Sequence, residues 1–161
     1  MSKRQNIQKT NAARELDRLK IVYEMHEYEV DESDLSAVHV ASVVGKDIAM
    51  VYKTIVCQSD DKYVVACLRG DLELDLKALA VAAGLKRCSL LALKDLERVT
   101  GYIRGGCSPL AMKKHFSTFI DERALKMDKI LISAGVRGKQ IELCVKDLAL
   151  ATRASFAGIA R

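Results

Sequence analysis

A lysine and a threonine interrupt an otherwise apolar, β-branched run at Val51-Tyr52-Lys53-Thr54-Ile55-Val56. Residues two apart in a strand share a face, so if Val51, Ile55 and Cys57 point one way, Lys53 points with them. An ammonium on an inward face is costly unless it has a partner or a task. That makes Lys53 a candidate for orienting a ligand or stabilising charge. The same pattern fits a lysine on the solvated face, or one that lays its methylenes along a sheet edge and keeps its charge in water. Periodicity leaves both readings open.

Two further segments mix glycine with polar residues. In Thr100-Gly101-Tyr102-Ile103-Arg104-Gly105-Gly106-Cys107-Ser108-Pro109, Gly105 and Gly106 let a backbone approach a ligand closely and offer N–H groups to a carbonyl or oxyanion. Gly-Gly and Ser-Pro also mark ordinary turns. In Ser133-Ala134-Gly135-Val136-Arg137-Gly138-Lys139-Gln140, Arg137 and Lys139 suit a phosphate or a carboxylate, or form a solvated hairpin tip. Cys107 with His115 as its base would make a nucleophilic pair, but nothing local stabilises a thiolate. His26, His39 and His115 lack metal-ligand spacing, and Lys113-Lys114-His115 reads as a solvated basic face. The acidic residues are scattered without forming an acid/base pair.

These segments need a frame. A helix capped by Asn11 runs to about Lys20, and Ile21–Tyr28 alternates like a strand. Asp31–Ser36 is an acidic loop. Ser36 caps a short helix carrying Ala37, Val40, Ala41 and Val44, stopped by Gly45. Val51–Cys57 and Tyr63–Leu68 read as strands, with Ser59-Asp60-Asp61-Lys62 as a hairpin turn. Helices follow from Asp75 to Gly84 and over Leu93–Thr100. Phe116–Ile120, Ile130–Ser133 and Ile141–Val145 read as strands, and a last helix covers Asp147–Arg153. Paired strands interrupted irregularly by short helices predict an α+β domain rather than a regular βαβ alternation.

Composition sets the outer bounds. The 161 residues suit one domain, and their half-apolar composition can bury a substantial core. With one proline and nine glycines the chain holds no long disordered linker. Met1–Lys9 reads as a flexible basic start, with the domain proper over 10–161. The net charge of +5 favours phosphate-rich partners without requiring them. No apolar run is long enough for a signal peptide or a membrane span, so a cytoplasmic protein is expected. The five cysteines have no Cys-x-x-Cys pair, which speaks against zinc and thioredoxin chemistry and for small buried hydrophobes.

Taken in order, several short motifs resemble one family. They are Tyr52-Lys53-Thr54, Leu74-Asp75-Leu76-Lys77, Thr100-Gly101-Tyr102 with Gly105-Gly106-Cys107-Ser108-Pro109, Phe119-Ile120-Asp121, Ser133-Ala134-Gly135 with Arg137-Gly138, and Ile141-Glu142-Leu143. Each is weak alone. Their shared order from about Ala12 to Ala160 resembles the YbaK/EbsC group, related to the editing insertion domain of bacterial prolyl-tRNA synthetases.

The resemblance implies a single domain with a mixed barrel-like β-sheet, surrounding helices and a central pocket. It implies release of a mistaken amino acid from tRNA, foremost cysteine from proline tRNA. Cysteine and proline are alike in volume, so binding alone separates them poorly and a second, hydrolytic site is needed. By position, Lys53 matches the functional lysine and Thr54 its neighbour. Tyr28 matches a pocket tyrosine, and Gly105, beside Gly106, the glycine whose backbone faces substrate. Ser133 and Arg137 fall in the loop that closes the site. Gln140 stands where relatives can carry aspartate, which bears on how a substrate amino group is held. Leu35 or Ser36 falls at an aromatic position, and Arg104 and Cys107 replace residues that are often apolar.

The cysteine-specific members are understood to use no protein nucleophile. The substrate thiol attacks its own ester, which is proximity catalysis with a tethered nucleophile. No metal and no cofactor is expected. The implied partners are the acceptor end of mischarged tRNA and a prolyl-tRNA synthetase that presents it, with no membrane and no DNA. A non-catalytic module binding tRNA 3′ ends or nucleotides, a deacylase for another small amino acid, and a Cys107 thiol hydrolase are the competing readings.

Overall fold

Thr10, rather than Asn11, caps the first helix. In the computed structural model, which describes residues 7–161, the Thr10 hydroxyl accepts the Ala13 N–H and helix α1 spans Asn11–Arg18. Asn11 sits one position inside, where its side-chain oxygen accepts from Arg14 at 3.2 Å. A threonine at the boundary satisfies one of the orphan amides of the first turn, so an adjacent Asn is not needed there. The expected flexible start lies outside the described residues over 1–6. Within its remainder, Lys9 pairs with Asp17 at 2.6 Å and the Gln8 carbonyl accepts from Lys139.

The other caps fall where the residue types put them. Ser36 accepts the His39 N–H to start α2, Ala37–Val44, and Gly45 ends it in the left-handed region at φ 69°. Asp75 accepts the Ala78 N–H to start α3, Leu76–Ala83. Helix α4 spans Leu93–Thr100 and α5 spans Val145–Thr152. The last begins two residues before the expected Asp147, because strand pairing ends at Cys144 and Val145 turns into the core.

Eight strands follow the chain: β1 Tyr23–Glu27, β2 Tyr52–Ser59, β3 Lys62–Arg69, β4 Ser89–Leu90, β5 Ser117–Asp121, β6 Lys129–Ser133, β7 Lys139–Cys144 and β8 Ser155–Ala157. The very short β4 and β8 carry too little sequence to show a period. Ser59 pairs with Lys62, which leaves Asp60-Asp61 as a two-residue hairpin turn. One sheet has the order β1-β7-β6 and is antiparallel; the other has the order β4-β2-β3-β5-β8. In the second sheet β5 runs parallel to β3, and β8 parallel to β5. Those parallel pairs need long crossovers, which α3, α4 and α5 supply.

The expected barrel-like sheet is thus two sheets meeting at one bridge, Val51 with Leu131. Along the same edge, β2 next meets β4 only at Cys57 and Gln58. Among the described residues no strand covers that edge at Lys53–Ile55, and this seam is where a cavity opens.

Two close contacts fix the elements around the larger sheet. Asp121 is fully buried, accepts the Ile159 and Ala160 N–H groups at 3.0 and 3.2 Å, and pairs with Arg123. It pins the C-terminal chain beside β5, a structural task for the Phe119-Ile120-Asp121 motif. Gly70 lies under α2, where an added Cβ would stand 2.1 Å from the Ala37 Cβ. Only glycine lets that helix approach so closely.

Candidate active site

Lys53 stands on the face of β2 that carries Ile55 and Cys57, opposite the buried Tyr52 and Val56. Its cross-strand partner is Leu68. The side chain is half-buried and its ammonium donates to the Leu72 carbonyl at 2.6 Å. The structure puts Lys53 on the inward face of β2 with its side chain only partly buried. Burial pushes its pKa below the usual lysine range, opposed by the charges of Asp71 and Glu73. A cation held by one neutral carbonyl keeps its other N–H bonds for a ligand.

The cavity beside it has a volume of about 320 Å³. Leu35, Ser36, Ala37 and Val40 form one wall; Val51, Tyr52, Lys53, Thr54 and Gly70 form the second. Gly105 and Cys107 close it, with Ser133 and Gln140 on the remaining side. Lys53, Thr54, Gly105, Ser133 and Gln140, far apart in sequence, therefore share one chamber.

Gly105 has φ 83°, a left-handed conformation natural to glycine, and its N–H donates to no protein acceptor among the described residues. Thr54 lies beside Cys67, Oγ1 to Sγ 3.9 Å. Ser133 accepts the Gly135 N–H, which leaves its own hydroxyl proton free to donate. Gln140, paired in register with Ser133, is only 5% exposed, and its Oε1 has no hydrogen-bond partner among the described residues. A buried amide oxygen left unpaired costs roughly 1–3 kcal/mol, so a cavity wall is an informative place to find one.

Three expected residues do not line the chamber. Tyr28 packs against Val40, Ala41 and Val51 from outside, and its N–H donates to the Gly138 carbonyl. It supports the α2 wall. Gly106 is buried against the backbone of Val136 and Arg137, where a Cβ would come within 3.2 Å. Arg137 crosses over the outside of Gly105. Its Nε donates to the Arg104 carbonyl at 2.8 Å and its Nη1 pairs with Glu32 at 2.8 Å. Arg137 thus ties the acidic loop to the glycine loop through its Nε and Nη1.

A family model for the aminoacyl-tRNA editing domain matches residues 32–150, which includes every chamber residue. The chain belongs to the aminoacyl-tRNA editing domain family. It is 45% identical over 160 residues to an Enterococcus faecalis (strain ATCC 700802 / V583) protein named EbsC, a candidate Cys-tRNA(Pro)/Cys-tRNA(Cys) deacylase, covering 99% of this chain and 98% of that one. Two crystal structures share the fold. One is hypothetical protein APE2540, with TM-score 0.86, 18% identity and coverage of 94% and 100% of the two chains. The other is a candidate trans-editing enzyme for prolyl tRNA synthetase, with TM-score 0.77, 19% identity and coverage of 86% and 87%.

In this editing domain Cys107 lines the chamber, yet burial pushes its thiol up to about 12, with a bond to Thr100 acting the other way. His115 is engaged by the Thr152 carbonyl at 2.8 Å and lines different hollows. The pair that a thiol hydrolase needs is not assembled. The register also builds a polar cluster that residue spacing alone does not show. Glu24, His26 and Glu142 bring ligand-type atoms within 4.8 Å of one another. Lys46, just beyond α2, meets Glu142 at 3.3 Å and His26 meets it at 2.7 Å. Burial alone would raise the Glu142 pKa; hydrogen bonds from His26 and Lys46 outweigh it and hold the carboxyl below its ordinary range. This cluster braces α2 against β7. No helix among the described residues is long and apolar enough to cross a membrane.

Proposed function

We propose that this editing domain is an aminoacyl-tRNA deacylase whose main substrate is cysteine misattached to proline tRNA. The observation that carries the reading is that the half-buried Lys53 side chain lines the same chamber as Gly105, whose N–H has no acceptor among the described residues. Together they form a donor set for an ester carbonyl that gains negative charge. The lining has no histidine, aspartate or glutamate to act as a general base, and its one thiol is held protonated. That suits a substrate that brings its own nucleophile.

The cysteinyl sulfur attacks the ester carbonyl within the same acyl group. A sulfur–carbon bond forms, the ester carbon–oxygen bond breaks, and the thiol proton ends on the departing ribose hydroxyl. A cyclic thioester leaves, and water opens it to free cysteine. Lys53 and the Gly105 amide hold the carbonyl oxygen, and Thr54 and Ser133 offer hydroxyls to the ribose. Gln140 supplies its vacant carbonyl to a substrate donor. Arg137 acts from outside by holding Gly105 in place. A prolyl-tRNA synthetase supplies the mischarged tRNA, and the reaction belongs to the cytoplasm.

The test is deacylation of matched proline tRNAs charged with cysteine, alanine, serine or proline. Release of cysteine well above the others is expected. Saturable binding of all four with turnover of none would replace the enzyme by a binding module. Release of alanine or serine at the cysteine rate would remove the substrate thiol from the chemistry.

A further inference from the structure

The chain's positive charge is not spread evenly. Residues 86–116 hold seven Lys and Arg against two Asp and Glu. The rest of the chain holds nineteen of each, so the whole net charge of +5 sits in this one segment. All seven cations, Lys86, Arg87, Lys94, Arg98, Arg104, Lys113 and Lys114, are exposed. Among the described residues, only Arg98 of the seven has a carboxylate partner, Asp95 at 3.3 Å.

The segment is also one structural body. It contains α4, and Leu91, Val99, Cys107, Met112 and Phe116 pack together over Val56 and Val65 of the larger sheet. The same segment supplies Gly105 and Cys107 to the chamber.

The opposite wall is charged the other way. Residues 21–45 hold six acids, Glu24, Glu27, Glu29, Asp31, Glu32 and Asp34, and no lysine or arginine. That stretch supplies Leu35, Ser36, Ala37 and Val40 to the chamber. The chamber thus opens between a cationic body and an anionic one. A polyanion is drawn to the first and repelled by the second.

We infer that the surface of residues 86–116 is the docking face for the acceptor-stem phosphates of tRNA, and that the acidic stretch over 24–34 keeps the strand off the other side. This inference rests on the proposed deacylase reading and adds the direction from which RNA reaches the site. Phosphate contacts of this kind position a substrate without reading its sequence. Each releases counterions, so together they give binding a measurable salt slope.

The experiment compares two substrates, Cys-tRNA(Pro) and a cysteinyl ester of adenosine that has the reacting end but no stem. The variant is Lys86→Ala/Arg87→Ala/Lys94→Ala/Lys114→Ala, which spares Lys113 because its stem covers Gly101. Expected is a loss of about 100-fold in kcat/KM on Cys-tRNA(Pro) at moderate salt, and a salt slope for tRNA binding shallower by roughly one per contact removed. The rate on the adenosine ester stays unchanged. A mirror variant, Glu27→Gln/Glu29→Gln, binds tRNA as well as or better than the parent. Equal losses on both substrates, an unchanged salt slope, or weaker tRNA binding in the mirror variant would each overturn the docking face. Failure of the parent protein to cleave either substrate would instead sink the deacylase reading, while the tRNA salt slope would still report on the face.

Discussion

Replacing Lys53 by methionine removes one charge from the chamber and leaves most of the side chain's packing. In the parent the ammonium is fixed by the Leu72 carbonyl at 2.6 Å rather than by a carboxylate, so its charge is not cancelled at close range. An ammonium about 5 Å from a developing oxyanion, at an effective dielectric of about 20, contributes roughly 3 kcal/mol. That corresponds to a fall of about two orders of magnitude in rate. Single-turnover release of cysteine from Cys-tRNA(Pro) measures it directly. Leu72 is half-exposed, so water can take over its carbonyl, and the lost hydrogen bond costs about 1 kcal/mol. A change of that size moves the melting temperature by only about 2–4 °C.

The pH dependence has a definite sign. The Lys53 pKa is lowered on folding, chiefly by burial, so the folded chain binds this proton less tightly than the unfolded one. Activity that needs the ammonium declines on the alkaline side, at a pH below the ordinary lysine value of 10.5. Over the same window the stability cost of burying the charge is relieved as pH rises. A Lys53→Met protein that melts like the parent and releases cysteine at the parent's rate would refute the electrostatic role of this residue.

Three further outcomes follow from the geometry. Glu142→Gln lowers stability by about 2 kcal/mol near neutral pH, since hydrogen bonds to a charged group are among the stronger ones. The Glu142 pKa is depressed on folding, so this contribution is full above the ordinary value of 4.5 and lost as pH falls through the lowered one. Thermal melts of both proteins from pH 7 to 3 should therefore converge in acid. Gly70→Ala forces α2 away from β3, because the new Cβ would meet Ala37 at 2.1 Å. The strain costs about 1–3 kcal/mol by urea titration and widens the chamber, so KM rises more than kcat falls. Cys107→Ser keeps the cysteine-release rate within a few-fold; a hundredfold loss would restore the thiol as nucleophile.

Legibility from sequence varied with the range of the signal. Ser36, Gly45 and Asp75 act within four residues of themselves, and the helices they cap stand as read. The β2–β3 and β6–β7 hairpins likewise join neighbours in sequence. The pairings of β3 with β5 and of β5 with β8 were hidden, because nothing in a strand's own residues names a distant parallel partner. The chamber was partly legible. Lys53 stood out as a charge in an apolar run, and Gly105 as half of a diglycine. Gln140 looked like an ordinary polar residue, since its vacant oxygen exists only once β7 is packed. The residue type of Arg137 suggests a contact to the ligand, whereas its Nε and Nη1 go to the Arg104 carbonyl and Glu32, both far away in sequence. The Glu142 cluster depends on register and on Lys46 arriving from α2, neither of which residue spacing encodes.

Among the described residues, Val51 and Leu131 make the one backbone bridge between two sheets that otherwise meet through a shared core, like the covers of a closed book. Neither residue is among the groups proposed to touch the reacting ester, yet both set how far the covers stand apart. Bulkier or slimmer side chains at that joint would resize the space between them while every polar group kept its identity. Preference among small amino acids can therefore drift through hydrocarbon volume alone, with the chemistry left intact.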